Sequence, residues 1–239
     1  MKKKPLAIVT GAAHRLGRIF AITLAQRGYA ILLHYFHATG VDQTEQEIKA
    51  FGVPVFLLQA DLRDHSGISS LISSLDAIPH QVDVLVNSAS IMMKADLQST
   101  STADWDATLA LNLRTPFLLV QELVGRMDEG GLVVNISDCG ARKLWKEYVA
   151  YVVSKSALET LTRLQAKEYA PRIRVNAIAP GLVIPSNGIA KEEWERLVKR
   201  TPLNRPVRQE DIAGALGFLL DNPSITGQVL SVDGGYSLI

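Results

Sequence analysis

The stretch Leu6-Ala7-Ile8-Val9-Thr10-Gly11-Ala12-Ala13-His14-Arg15-Leu16-Gly17 decides the fold of this chain. It opens with an apolar run typical of a strand, and apolar residues then recur at helical spacing as far as Gly28. Gly11 allows a tight turn between the two elements, and Gly17 lets the helix pack closely on the strand. Free N–H groups at the start of such a helix attract phosphate. A glycine turn alone is weak evidence, but its place in the first strand–helix unit indicates a nucleotide site.

The remainder of the chain continues this alternation of strands and helices. Further strands are predicted at 29–34, 53–59, 82–86, 132–136, 173–179 and 228–232, and helices over about 41–51, 65–75, 102–127, 148–169, 191–199 and 209–220. Strict alternation requires parallel pairing, and continuous apolar strands indicate helices on both faces of the sheet. We therefore predict an α/β fold in one domain over residues 1–239, a Rossmann-type doubly wound parallel sheet. The irregular stretch at about 182–203 is predicted to be a substrate lid.

The composition argues against several classes of function. A formal net charge of +1 gives no reason to expect a nucleic-acid or anionic-membrane partner. No apolar run approaches the roughly 20 residues that span a bilayer. The single cysteine, Cys139, excludes an internal disulfide and a cysteine-based zinc site. His14, His34 and His37 do not have metal-ligand spacing, so we expect no metal site. With no membrane-spanning run and a single cysteine, a cytoplasmic location is the default expectation.

The end of the second predicted strand bears on which dinucleotide binds. Folds that bind NAD place an Asp or Glu there, whereas the stretch His34-Tyr35-Phe36-His37 is followed by no carboxylate before Asp42. His14 and Arg15 lie in the turn, where cationic side chains can reach a 2′-phosphate. Both observations favour NADPH. The alternative is that Arg15 is a surface residue and that the histidines pack the strand end.

Two further polar segments follow predicted strands at the same edge of the sheet. Asp61-Leu62 comes after the third strand and Asn87-Ser88-Ala89-Ser90 after the fourth. Ligands bind at the carboxyl edge of such sheets, so both segments are candidates for cofactor contact. Asp61 either faces the adenine amine or caps the following helix, and the two interpretations are equally good.

A Tyr-x-x-x-Lys pair lies on the helix after the fifth strand. Tyr151 and Lys155 are four residues apart and therefore share a face of that helix. A nearby ammonium is expected to lower the pKa of the tyrosine from about 10. A tyrosine of that kind can act as a general acid near neutral pH.

Over essentially its full length the chain resembles the short-chain dehydrogenase/reductases. The matching residues are Thr10, Gly11, Gly17, Asp61, Asn87, Ser88, Ala89, Asn112, Tyr151, Lys155, Pro180, Gly181, Asp233, Gly234 and Gly235. The resemblance implies that Tyr151 donates a proton while Lys155 holds the nicotinamide ribose. It implies further that Asn112 supports a water-linked proton relay, that Pro180-Gly181 borders the nicotinamide, and that the protein is a homotetramer. The expected cofactor-binding set is Gly11, His14, Arg15, Leu16, Gly17, His34, Tyr35, His37, Asp61, Leu62, Asn87, Ser88, Ala89, Tyr151, Lys155, Pro180 and Gly181.

Two departures from the family pattern resemble the pteridine reductases. Arg15 replaces the middle glycine of the turn, and Asp138 stands thirteen residues before Tyr151, where the family usually has its catalytic serine. Ser137 is one residue too early and should point to the other side of the strand. A buried carboxyl of raised pKa suits protonation of a ring nitrogen. The expected catalytic residues are therefore Asp138, Tyr151, Lys155 and Asn112.

The resemblance implies NADPH-dependent reduction of a pterin, with substrate contacts at Arg15, Ser90, Met92, Asp138 and Tyr151. Met92 stands where pteridine reductases typically carry an aromatic ring, and a thioether covers a flat ring less selectively. Trp145, Tyr148 or Trp194 could supply an aromatic surface, or each could be packing. Two alternatives are a carbonyl reductase, for example of 3-oxoacyl thioesters, and a non-catalytic NADP-sensing protein.

Overall fold

The computed structural model describes residues 4–186 and 188–239, and within them it contains one sheet of seven parallel strands. The strands are β1 (Leu6–Val9), β2 (Ala30–Tyr35), β3 (Val55–Gln59), β4 (Val82–Asn87), β5 (Met127–Ile136), β6 (Ile173–Pro180) and β7 (Val229–Val232). Their order in the sheet is β3-β2-β1-β4-β5-β6-β7. The order reverses between β1 and β4, as it does in a doubly wound sheet. The predicted fold class is confirmed.

Helices cover both faces of this sheet. They are α1 (Arg15–Gln26), α2 (Val41–Lys49), α3 (His65–Ser74), α4 (Thr102–Leu109), α5 (Thr115–Leu123), α6 (Gly140–Lys143), α7 (Val149–Tyr169), α8 (Lys191–Lys199) and α9 (Gln209–Asp221). Side chains of α1, α2 and α9 form one core with β1 residues Ala7 and Val9. Side chains of α3, α5 and α7 form the other core with Leu6 and Ile8. Alternate residues of one strand thus serve opposite layers. No helix in the described ranges is long and apolar enough to cross a membrane.

The prediction of a single long helix over 102–127 is wrong. A wide π-helical turn, Ala110–Arg114, separates α4 from α5, and the helix ends at Leu123. Pro116 explains the interruption, because it has no N–H to donate and its ring crowds the carbonyl four residues earlier. Within the turn, the Thr115 hydroxyl donates to the Ala110 carbonyl at 2.9 Å. Such π turns often occur at functional sites.

Strand β5 also begins earlier than the sequence predicts. It starts at Met127, so the pair Gly130-Gly131 lies inside the strand and does not separate it from the preceding helix. The pairing with β4 shifts register there, since Val82 pairs with Met127 while Val84 pairs with Leu132. Glycines tolerate this local irregularity in a strand. The last five residues of β5 remain regular, and they carry the chain to Asp138.

Candidate active site

The glycine turn packs directly against the end of β4. Gly11 has φ +65°, and a Cβ there would lie 2.9 Å from the Cα of Ala89. A Cβ on Gly17 would lie 2.1 Å from the Gly11 carbonyl oxygen. The Thr10 hydroxyl oxygen accepts hydrogen bonds from the backbone N–H groups of Ser88 and Ala89, both at 3.0 Å. The matched segments at the ends of β1 and β4 therefore meet, as expected.

The start of α1 has the features of an anion site. His14 occupies the N-cap position without capping the helix through its side chain, so the first N–H groups of the helix are not satisfied by a cap. Arg15 has φ +53°, and its exposed guanidinium donates hydrogen bonds to the carbonyls of Pro185 (3.0 Å) and Ile184 (3.1 Å). Partial burial and the neighbouring charges of Arg15 and His37 lower the pKa of His14. Three basic side chains thus gather beside this helix end.

His34 lies beneath the turn and does not face a ligand. Its side chain is buried, its Nδ1 accepts a hydrogen bond from the Gly11 N–H at 3.1 Å, and its Nε2 lies 3.0 Å from the Ala60 carbonyl. Burial lowers the pKa of His34 to about 4. Both ring nitrogens are therefore used within the protein, which corrects the assignment of His34 as a direct cofactor contact. Tyr35 and Leu16 likewise pack against the core beside α1.

Asp61 is held by an arginine that the sequence reasoning missed. The Arg63 N–H donates to Asp61 Oδ1 at 2.9 Å, and the guanidinium pairs with both carboxylate oxygens. This pairing keeps the pKa of Asp61 below its usual range. The alternative that Asp61 caps α3 is wrong, because Asp64 occupies the N-cap position. Arg63 also lies 5.3 Å from the centre of the Phe36 ring, which joins the ends of β2 and β3. Neighbouring Leu62 is buried.

Asn87 ties the middle strands together under the cleft. Its Nδ2 donates to Asn135 Oδ1 at 2.8 Å, and Asn135 Nδ2 donates to the Thr162 hydroxyl on α7 at 3.0 Å. This chain of bonds fixes α7 against β4 and β5. It thereby sets the position of Tyr151, on α7, relative to the end of β5.

Asp138 and Tyr151 form the centre of the site. The Tyr151 hydroxyl donates to Asp138 Oδ2 at 2.9 Å, and the Gly140 N–H donates to Asp138 Oδ1 at 2.6 Å. Ser137 points away, as predicted, and its hydroxyl bonds Glu159 on α7. Lys155 Nζ donates to the Ile136 carbonyl at 2.7 Å and lies 5.6 Å from the centre of the Tyr151 ring. The structure thus brings together three of the four residues expected to be catalytic.

The protonation of this group differs from the expectation. Burial raises the pKa of Tyr151 well above 10, and the charge of Asp138 raises it further. Lys155 does not offset these effects, so the expected lowering of the tyrosine pKa is wrong for this structure. Burial also raises the pKa of Asp138 and lowers that of Lys155 to about 8. Asp138 and Tyr151 therefore hold protons more tightly than free side chains would.

Asn112, the fourth residue expected to be catalytic, is linked to Tyr151 by hydrogen bonds. It lies in the π-helical turn, and its Oδ1 accepts bonds from the Ser90 hydroxyl (3.1 Å) and the Ile91 N–H (2.9 Å). Its Nδ2 donates to the Ile91 carbonyl and to the Ser154 hydroxyl, which in turn donates to the Tyr151 carbonyl. Asn112 therefore holds the segment after β4 against the turn of α7 that carries Tyr151.

The turn after β6 closes the other side of the site. A Cβ on Gly181 would lie 2.6 Å from the Cα of Asp233, so only glycine allows this approach. The Pro180 carbonyl accepts a bond from the Cys139 N–H at 3.0 Å. The Asp233 carboxylate accepts bonds from the N–H groups of Gly235 and Ser237. The C-terminal Asp-Gly-Gly motif thus supports the turn beside Asp138.

The aromatic candidates occupy different places. Trp145 lies over Gly140, and its ring centre is 6.0 Å from that of Tyr148. Trp194 instead lines a groove on α8 with Lys191 and Val198. Met92, on the segment after β4, is 39% exposed.

The chain is similar to several known proteins over nearly its whole length. The family model described as Enoyl-(Acyl carrier protein) reductase matches residues 11–237. The 3-oxoacyl-[acyl-carrier-protein] reductase of Staphylococcus aureus is 32% identical, over 98% of this chain and 99% of that protein. The solved structure of FolM alternative dihydrofolate reductase 1 from Brucella canis, complexed with NADP, is 33% identical. It has a TM-score of 0.92 over 98% of this chain and 94% of that one. A short-chain dehydrogenase/reductase from Serratia marcescens is 29% identical with a TM-score of 0.92, over 98% of each chain.

Proposed function

This chain belongs to the short-chain dehydrogenase/reductase superfamily of oxidoreductases, and we propose that it uses NADPH to reduce a pterin ring. The substrate class we propose is dihydropterins or dihydrofolate-type compounds. The observation that carries the proposal is the 2.9 Å hydrogen bond from Tyr151 to Asp138, a carboxyl group in the position of the family's serine. Similarity to FolM alternative dihydrofolate reductase 1 supports the same substrate class.

The described residues fit NADPH. The uncapped start of α1 offers N–H groups to the pyrophosphate, and the missing Cβ of Gly11 leaves its backbone open to close approach. Arg15 supplies positive charge for a 2′-phosphate, and the imidazoles of His14 and His37 lie beside it. Lys155 is placed to hold the nicotinamide ribose. Asp61, Leu62, Asn87, Ser88, Ala89, Pro180 and Gly181 complete the proposed set.

The chemistry requires a proton at a ring nitrogen. NADPH supplies the hydride for the adjacent ring carbon, so the C=N bond becomes CH–NH when one proton is added. Tyr151 donates that proton, and Asp138 returns one to the phenolate through their hydrogen bond. Burial favours the protonated form of Asp138, which makes this return possible. Asn112 acts by positioning the turn of α7.

A second candidate is reduction of a 3-oxoacyl thioester. The similarity to the 3-oxoacyl-[acyl-carrier-protein] reductase extends over nearly the full length of both chains and favours it. Against it stands the absence of the family's serine, because a serine hydroxyl suits the polarisation of a ketone and position 138 holds Asp.

The test measures loss of NADPH absorbance with 7,8-dihydrobiopterin, dihydromonapterin and dihydrofolate, beside an acetoacetyl thioester. We expect turnover of a pterin, with a loss of roughly 10²-fold or more in Asp138→Ala and Tyr151→Phe. Ser137→Ala is the matched control, because Ser137 is adjacent to Asp138 but bonds Glu159. Activity on the thioester alone would refute pterin reduction. Tight NADPH binding without any turnover would support a non-catalytic sensor.

The lid and the assembly are further parts of the proposal. We propose that residues 182–203 close over the substrate; position 187 lies outside the described residues. Helix α8 buries none of its side chains, as expected for an element that moves. We also propose a homotetramer built through the helices that follow β4 and β5, which are α4–α5 and α7, and through the C-terminal strand β7. Phe117, Val153 and Leu164 on these helices are exposed apolar side chains. Light scattering with Leu164→Glu tests the assembly, since a smaller species is expected.

A further inference from the structure

The backbone beside Asp138 is strained at Leu144. Leu144 directly follows α6 as its C-cap and has φ +54° and ψ +57°. That left-handed conformation is an exception for a bulky side chain, and Leu144 is itself 66% exposed. The Leu144 N–H closes the end of α6 by donating to the Gly140 carbonyl at 3.0 Å. The reversal of the chain at Leu144 brings the next residue, Trp145, back over Gly140.

Gly140 makes room for the indole of Trp145. A Cβ on Gly140 would lie 2.7 Å from two carbons of the indole ring, which no side chain permits. The same point is 2.9 Å from Asp138 Oδ1, and the Gly140 N–H donates to that oxygen. The indole therefore lies beside Gly140, which also contacts the Asp138 carboxyl group. That carboxyl group returns a proton to Tyr151 in the proposed reaction.

The indole lies over Gly140 and beside Tyr148. Tyr148 packs against it edge-on, with the ring planes at 66°. The segment that follows is fastened to the opposite wall of the cleft, because Ala95 donates to the Glu147 carbonyl and accepts from the Val149 N–H. Trp145 is nevertheless only half-buried. Part of a rigid aromatic surface thus remains accessible at the edge of the site.

From this arrangement we infer that Trp145 is a specificity-determining residue whose indole stacks on the flat ring of the substrate; the inference rests on the proposed reduction of a pterin. Offset stacking of aromatic rings adds to the area that they bury. A 3-oxoacyl thioester has no flat aromatic ring at its reacting end and gains nothing from this contact. The flexible thioether of Met92 selects less strongly than an aromatic ring for a flat substrate.

Steady-state kinetics test the inference with three variants. Trp145→Leu is expected to raise KM for the pterin about tenfold while kcat changes little, because stacking is lost but the proton donors remain. Trp145→Phe should keep most of the affinity. Tyr148→Leu is the matched control, since it removes the neighbouring ring, and it should change KM less than Trp145→Leu. Unchanged KM in Trp145→Leu, with normal NADPH binding, overturns the inference.

Fluorescence supplies a readout that needs no turnover. Trp105→Phe/Trp194→Phe leaves Trp145 as the sole tryptophan. With saturating NADP⁺, 7,8-dihydrobiopterin should quench its emission to saturation. The matched protein, Trp145→Phe/Trp194→Phe, keeps only Trp105 on α4 and should show much less quenching. Equal quenching in the two proteins, or none in either, overturns the inference. Quenching specific to Trp145 without pterin turnover would support the stacking and contradict the proposed reaction, so the two failures are distinguishable.

Discussion

Acidification is expected to destabilise the protein through His34. The imidazole is 2% exposed, accepts the Gly11 N–H and bonds the Ala60 carbonyl, so a proton on Nδ1 would break the bond to the turn. Its pKa is about 4 in the folded protein, whereas an unhindered histidine has 6.5. Because the folded value is the lower one, this stabilisation is complete above pH 6.5 and is lost as pH falls toward 4.

The size of the effect follows from the same two values. A separation from 6.5 to about 4 corresponds to about 3 kcal/mol in total, of which about 2 kcal/mol is lost between about pH 7 and about pH 5. Urea unfolding at these two pH values measures it. His34→Gln keeps a donor and an acceptor but does not titrate. Its free energy of unfolding should therefore fall by about 2 kcal/mol less than that of the unchanged protein.

The matched control is His65→Gln, which removes an exposed histidine at the start of α3 and should follow the unchanged protein. Less favourable hydrogen-bond geometry in His34→Gln lowers its free energy of unfolding at every pH. The comparison therefore uses the change in that free energy between the two pH values. If His34→Gln showed the same loss on acidification as the unchanged protein, the assignment of a buried, neutral His34 would be refuted. Cofactor affinity should decline over the same range, since the turn that His34 supports opens.

Three further outcomes are expected. Gly17→Ala should lower the free energy of unfolding by about 2 kcal/mol and weaken NADPH binding, because its Cβ meets the Gly11 carbonyl; Gly214→Ala, with open space around it, is the control, and equal stability of the two would contradict the packing. The kcat/KM for NADPH should fall as pH rises through about 8, where Lys155 loses its charge, and a flat profile would argue against that role. Arg15→Met should speed hydrogen exchange of loop amides at 182–186 about tenfold, since two hydrogen bonds are lost, whereas Arg208→Met should not.

The sequence predicts the sheet because its signals are local. Alternating apolar strands and amphipathic helices require parallel pairing, and each predicted strand is present in the structure. Small shifts occur at the strand ends, except in β5, which starts at Met127 and not at the predicted residue 132. The meeting of Asp138 with Tyr151 was also predictable from their separation along the chain and from the resemblance. Pro116 was a local signal for the break in the long helix, but the sequence interpretation did not use it.

Other features depend on distant surroundings and could not be read from a local pattern. The pKa of Tyr151 is set by burial, which outweighs the lysine one helical turn away. His34 occupies a position typical of cofactor contacts, yet its ring lies under the turn because two backbone groups there need partners. The left-handed backbone of Leu144 has no signal in its residue type. The Leu144 N–H closes the end of α6 by donating to the Gly140 carbonyl.

The bonds from Arg15 to Ile184 and Pro185 use carbonyl oxygens, which every amino acid possesses. Side chains of this loop can therefore be exchanged without removing the partners of Arg15, provided that the backbone keeps its path. Insertions and deletions have no such freedom, because they move the oxygens themselves. This loop should therefore tolerate point substitutions better than insertions or deletions. Val183 packs against the core, so libraries that randomise residues 184–186 at constant length should retain NADPH binding while they explore new substrates.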